Sequence, residues 1–155
     1  MSHTRLHSFL DELDATYRVS HHDTAYTAQD LAMAEHLPGR RVIKPVLVQA
    51  DGQFVLCALP ACYRVDLEEL REQIPAKDVR LADERLLTNV FPDCEVGAVP
   101  PVGRIYGMLT LMDESVTADD HVTFQAGTHS DSVTMSLAEY RRIAQPEIAH
   151  FARHV

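Results

Sequence analysis

Lys44 interrupts an otherwise apolar run, Val42-Ile43-Lys44-Pro45-Val46-Leu47-Val48. An ammonium inside such a strand is costly to bury unless something pairs with it. Two readings are open. The side chain snorkels to water at a strand end, helped by Pro45 breaking regular pairing. Alternatively it serves as a compact cationic donor for a phosphate or a substrate carbonyl. A second feature is Gly97-Ala98-Val99-Pro100-Pro101-Val102-Gly103. Glycines at both ends with prolines between make a stiff loop. It is either a plain turn or a cradle whose backbone N–H groups point into a cavity, where such donors stabilise a developing oxyanion.

Other chemistries lack support. His21-His22-Asp23 suggests a metal site, but neighbouring side chains on a strand point to opposite faces, so the two histidines do not easily share an ion. HExxH, GxSxG, Walker and Rossmann patterns are absent from the sequence. Cys57, Cys62 and Cys94 form an odd set without a CxxC pair, which disfavours a disulfide framework and a structural zinc. No metal or redox cofactor is expected.

The elements that must position Lys44 and the glycine loop are readable in part. Asp51-Gly52 separates the Lys44 run from Phe54-Val55-Leu56-Cys57-Ala58-Leu59 and predicts a hairpin. Both arms are near-continuously apolar, so both are expected in a sheet interior, covered on two faces. Leu6, Phe9, Leu10 and Leu13 predict an amphipathic helix over Thr4 to Thr16. Tyr17 to Val19 reads as a short strand. Thr27 is the expected N-cap of a helix ending near Pro38-Gly39, and Asp66 that of another, with Glu69 placed for a capping box. Ala82 to Val90 reads as a short helix. Tyr106 to Met112, His121 to Gln125 and Ser132 to Met135 read as strands, and Ser136 caps a helix that Pro146 interrupts, unless Pro146 starts another. This mixture predicts an α/β (mixed α+β) chain, 1–155, with one mixed, mostly antiparallel sheet surrounded by helices.

Composition narrows the partners. The chain has 155 residues, 46% of them hydrophobic, enough for one packed domain. Lys and Arg number 14 against 23 Asp and Glu, a formal charge of −9. An acidic chain argues against gripping a long duplex and allows contact with only the end of a nucleic acid. No stretch approaches a membrane span, and Met1 to Leu6 lacks a signal-peptide apolar block, so a cytoplasmic location is expected.

Taken in order, these pieces resemble the YbaK/prolyl-tRNA synthetase-associated domain family. The matching residues are Tyr17-Arg18-Val19 with His22 and Thr24, Thr27-Ala28-Gln29-Asp30-Leu31-Ala32, and Val42-Ile43-Lys44. Val55 to Pro60 and Arg64-Val65-Asp66-Leu67 follow. Then come Phe91 through Gly103, Asp113-Glu114-Ser115 and Gly127-Thr128-His129. The resemblance runs from Tyr17 to Tyr140. It implies a trans-acting aminoacyl-tRNA deacylase related to proline, cysteine or alanine editing, with mischarged tRNA held by its acceptor end and a synthetase as a further partner. It implies that Lys44 and Gly97 serve catalysis, with donors at Gly97 and Ala98 on the ester carbonyl and water as nucleophile. Tyr26, Thr27, Ala98 and Val99 would form the acyl pocket, with Pro100, Pro101, Gly103 and His129 also against the substrate. Pro45, where a small or hydroxylated residue is more usual, departs from the pattern. A binding module that holds aminoacyl-tRNA or an amino-acid-like ligand without hydrolysis is the alternative.

Overall fold

The computed structural model describes residues 5–154, so the N-terminal reading of Met1 to Thr4 and the expected helix start at Thr4 lie outside the described residues. Strands β2 (Ile43–Ala50) and β3 (Gln53–Pro60) form the predicted hairpin, paired antiparallel from Ile43↔Pro60 to Ala50↔Gln53. Asp51 and Gly52 have φ of 50° and 84°, the two positive values a type I′ turn requires. The Asp51 carboxylate also accepts from the Lys77 and Asp78 N–H groups. That contact starts β5 (Val79–Leu81), which pairs with Val48, Gln49 and Ala50 of β2.

The hairpin is interior. The five-stranded sheet runs β5-β2-β3-β6-β9, where β6 (Leu109–Asp113) and β9 (Glu147–Ala149) add in parallel. Alternation along β3 explains its continuous apolar sequence. Leu56 and Ala58 pack into clusters on one face, while Cys57 and Leu59 pack with Val48, Leu70 and Phe151 on the other. Burying both faces removes the polar half of the usual strand pattern.

A second, antiparallel sheet has the order β1 (Arg18–His21), β8 (Asp131–Ser136), β7 (His121–Gln125). Phe124, Val133 and Met135 from this sheet meet Ile43, Ala58 and Met112 in the main core. Helices α1 (Arg5–Glu12) and α5 (Leu137–Ala144) close that core with Leu6, Leu10, Tyr140 and Ile143. A two-stranded ribbon pairs β4 (Tyr63–Val65) with β10 (Ala152–His154). The result is a mixed, mostly antiparallel α+β domain as expected, but with its strands divided among three sheets rather than gathered in one, because β1, β7 and β8 pair with each other and not with the hairpin.

Local capping follows side-chain chemistry. Thr27 Oγ1 accepts from Asp30 N–H at 3.0 Å and starts α2 (Ala28–Ala34). Asp66 accepts from Glu68 and Glu69 N–H groups ahead of α3 (Leu67–Gln73), and Asp83 from Arg85 N–H ahead of α4 (Glu84–Val90). Ser136 caps α5 through Glu139 N–H.

Four local expectations shift. Asp66 N–H donates to the Phe151 carbonyl, so the capping box with Glu69 does not form; that carboxylate faces Arg153 and His150 instead. Helix α2 ends at Ala34, short of Pro38. Gly103–Tyr106 is a 3-10 turn ended by left-handed Gly107, which delays β6 to Leu109. After α5, Gln145 turns left-handed and Pro146 leads into strand β9 rather than another helix.

Candidate active site

Beyond the three pairs covered by β5, one edge of β2 is open, and a cavity of about 280 Å³ lies along it. Residues 43 to 47 form its floor. Ala28 of α2, Leu87 of α4, Phe91 and Val99 give further apolar wall, with Lys44, Glu84, Gly97 and Gln125 as the positions where polar groups enter.

Lys44 sits one pair from the end of the β2–β3 ladder, opposite Leu59. Its Nζ donates to the Ala61 carbonyl at 3.1 Å, just past the end of β3. No carboxylate pairs with it among the described residues. Burial pushes its pKa below the ordinary lysine value, and the nearby Cys62 thiol acts weakly the other way. A half-buried cation held by a carbonyl, without a counter-ion, is set to receive an anionic or strongly polarised oxygen.

Pro45 does no harm to the ladder. The Leu47 carbonyl accepts from Ala82 N–H on the open side of β2, whereas the Val42 carbonyl accepts from Ala61 N–H on the β3 side. Strand alternation therefore puts odd positions on the open edge. The N–H that proline lacks would have faced the cavity, and no bond to β3 is lost.

Gly97 lies in the left-handed region at φ 86°. A Cβ there would come 2.9 Å from the Tyr26 carbonyl oxygen, so two independent constraints require glycine. The loop around it is fastened to the turn after β7. Glu95 N–H donates to Gly127 O and Gly127 N–H to Ala98 O, each at 2.8 Å. His129 N–H donates to the Glu95 carboxylate, and the ring Nε2 lies 2.6 Å from Val96 O. A carbonyl only accepts, so Nε2 carries the hydrogen. The Tyr26 ring covers this imidazole at a centroid distance of 4.9 Å.

The expected site residues thus separate. Lys44, Gly97 and Val99 meet at one cavity. Ala98 is fully buried and its N–H donates to Glu95 O at 3.0 Å, so it is not available to an ester carbonyl as expected. The Gly97 N–H meets no acceptor among the described residues. Thr27 caps α2, and its carbonyl accepts from Gln125. Tyr26 is 65% exposed, outside the cavity wall. Pro100, Pro101 and Gly103 are buried behind it, with Pro101 O accepting from Tyr140 and Gly103 N–H donating to Thr110. His129 braces the glycine loop from behind.

His21 and His22 do not converge: His21 pairs with Asp131, while His22 Nδ1 contacts the Asp23 carbonyl. The sequence reading missed Gln125, Glu84 and Leu87, which no local motif marks, and gave no site role to Phe91, which opens the matching stretch that runs to Gly103. Only Gln125, a polar residue closing the strand Val122-Thr123-Phe124-Gln125, carried a faint signal.

Comparison with known proteins bears on the family. The Multifunctional Ser/Thr-tRNA deacylase ProXp-y of Escherichia coli strain K12 is 28% identical over 159 residues, covering 99% of this chain and 94% of that protein. The Proline--tRNA ligase of Gloeobacter violaceus is 28% identical over 130 residues, 79% of this chain but only 22% of the ligase. A crystal structure of a candidate trans-editing enzyme for prolyl tRNA synthetase superposes with a TM-score of 0.81. It has 18% identity and the match covers 96% of this chain and 95% of that one, a likeness of fold. The aminoacyl-tRNA editing domain model matches residues 22–143, which include both Lys44 and the Gly97 loop, and the chain belongs to that family.

Proposed function

We propose that this chain is an aminoacyl-tRNA deacylase that cleaves the ester joining an amino acid to the terminal adenosine of a mischarged tRNA. The observation that carries the reading is that Lys44 and Gly97 line one largely apolar cavity, the Gly97 N–H having no acceptor among the described residues. Family membership and the deacylase relative support it.

The chemistry follows from what the cavity holds. Lys44 Nζ moves from Ala61 O onto the substrate's terminal phosphate or ester oxygen and fixes the acyl end. Gly97 N–H donates to the ester carbonyl as it becomes an oxyanion. A water adds to that carbon, the bond to the ribose oxygen breaks, and the neighbouring ribose hydroxyl relays the water's proton to the leaving oxygen. Free amino acid and deacylated tRNA result. Positioning and preorganised donors lower such a barrier without a protein nucleophile. Lys44 and Glu84 are the titratable residues of the cavity wall.

Small acyl groups suit the cavity, and the E. coli relative's name directs attention to seryl and threonyl esters. Contact is confined to the acceptor end, where a charge of −9 is tolerable. The cytoplasm, where charged tRNA is used, is the proposed location, and a prolyl-tRNA synthetase the proposed partner, supported by the ligase relative. The test is deacylation of seryl, threonyl, alanyl, prolyl and cysteinyl esters on proline, cysteine and alanine tRNAs. Hydrolysis of at least one above the buffer rate is expected; buffer rates throughout would overturn the reading.

A further inference from the structure

One polar group of the cavity wall has no part in the steps above. Gln125 ends β7, is 5% exposed and lines the cavity together with Lys44 and Gly97. Its Nε2 donates to Ala25 O at 3.0 Å and to Thr27 O at 3.2 Å. Carbonyl oxygens only accept, so these two contacts decide which end of the amide is nitrogen. Oε1 is thereby fixed, and it has no hydrogen-bond partner among the described residues. Buried side-chain acceptors are almost always paired, so an unpaired one on a residue that lines a cavity is a place for a donor from a bound ligand.

An aminoacyl ester offers two kinds of donor on its acyl part, the α-ammonium and, in some amino acids, a side-chain hydroxyl. The cavity also carries the Glu84 carboxylate, the stronger partner for an ammonium. The neutral amide oxygen is left for the neutral O–H. We propose that Gln125 Oε1 is the specificity-determining acceptor for a side-chain hydroxyl on the acyl group, so that hydroxylated aminoacyl esters are cleaved ahead of similar-sized ones lacking it. This rests on the deacylase reading and adds the residue that reads the substrate. A largely apolar pocket strengthens the discrimination, because a ligand without the hydroxyl leaves the buried acceptor unpaired.

The experiment compares seryl and alanyl esters on one tRNA, with wild type and Gln125→Met, under single-turnover conditions. Binding of nonhydrolysable seryl- and alanyl-amide analogues of adenosine is measured in parallel. Wild type should favour seryl over alanyl by roughly tenfold to a hundredfold in both assays. Gln125→Met should bring both ratios near one, mainly through the seryl substrate. Loss of the struts to Ala25 and Thr27 would slow both esters together and leave the ratio unchanged, which overturns the proposal. A wild-type ratio near one overturns it too. If wild type cleaves neither ester but prefers the seryl analogue, hydroxyl recognition stands and the deacylase reading fails. If it cleaves both esters equally and binds both analogues alike, the deacylase reading stands and this proposal falls.

Discussion

A Cβ on Gly97 would lie 2.9 Å from the Tyr26 carbonyl oxygen, while the backbone there holds φ at 86°. The loop cannot accept a side chain without moving its N–H. Gly97→Ala should therefore lower the deacylation rate by about 10²-fold or more, the scale of losing one oxyanion donor. The domain should stay folded, as checked by circular dichroism. A near-wild-type rate would show that this N–H does not serve the reaction.

Alkaline pH should silence the enzyme early. Burial lowers the Lys44 pKa, so the ammonium is lost as pH rises at values below the ordinary 10.5. With the ammonium as the working form, the enzyme-catalysed rate, corrected for spontaneous ester hydrolysis, should fall through that depressed pKa. A rate constant up to and beyond pH 10.5 would contradict a charged Lys44 in the mechanism.

Asp113 makes a stability prediction separate from catalysis. The residue is 1% exposed; its Oδ1 accepts from Phe151 and Ala152 N–H groups at 2.8 Å each, and Oδ2 from Ser115. It ties β10 to the end of β6. Asp113→Ala leaves two buried donors unpaired and should cost about 2–5 kcal/mol by denaturant unfolding. A cost below about 1 kcal/mol would mean that water replaces the carboxylate.

How far the sequence foretold this molecule follows how local each cause is. The Asp51-Gly52 turn and the caps at Thr27, Asp66 and Ser136 depend on residues within a few positions, and all were legible. The three-residue strands β4, β5, β9 and β10 exist because distant partners pair with them, so no periodicity revealed them. At the site, Lys44 was visible as a break in an apolar run. Gln125 was hidden because its meaning comes from carbonyls 100 and 98 positions away. The Ala98 donor was misread for a similar reason: spacing showed a stiff loop, not that Glu95 already takes that N–H.

Salt dependence tests the mode of tRNA contact. Arg40 and Arg41 both pair with Asp119, and Arg104 lies over Phe9 while donating to the Ile143 carbonyl. These arginines are engaged within the fold, so they form no free basic face. The slope of log affinity against log salt should be shallow, about −1 to −3. A slope near that of a protein making many phosphate contacts would require a surface not described above.

The most direct measurement is the single-turnover deacylation rate of Lys44→Ala on the best mischarged tRNA. Among the described residues Lys44 donates only to Ala61 O and meets no carboxylate, and removing such a desolvated cation should change stability by no more than about 1 kcal/mol. The rate should nonetheless fall to the buffer value, and Lys44→Arg should fail as well, since a planar fork does not replace a compact ammonium. His22→Ala, away from the cavity, should keep most activity as a control. A folded Lys44→Ala protein that turns over at the wild-type rate would contradict the account, leaving Lys44 as a strand-end residue and the cavity without its cation.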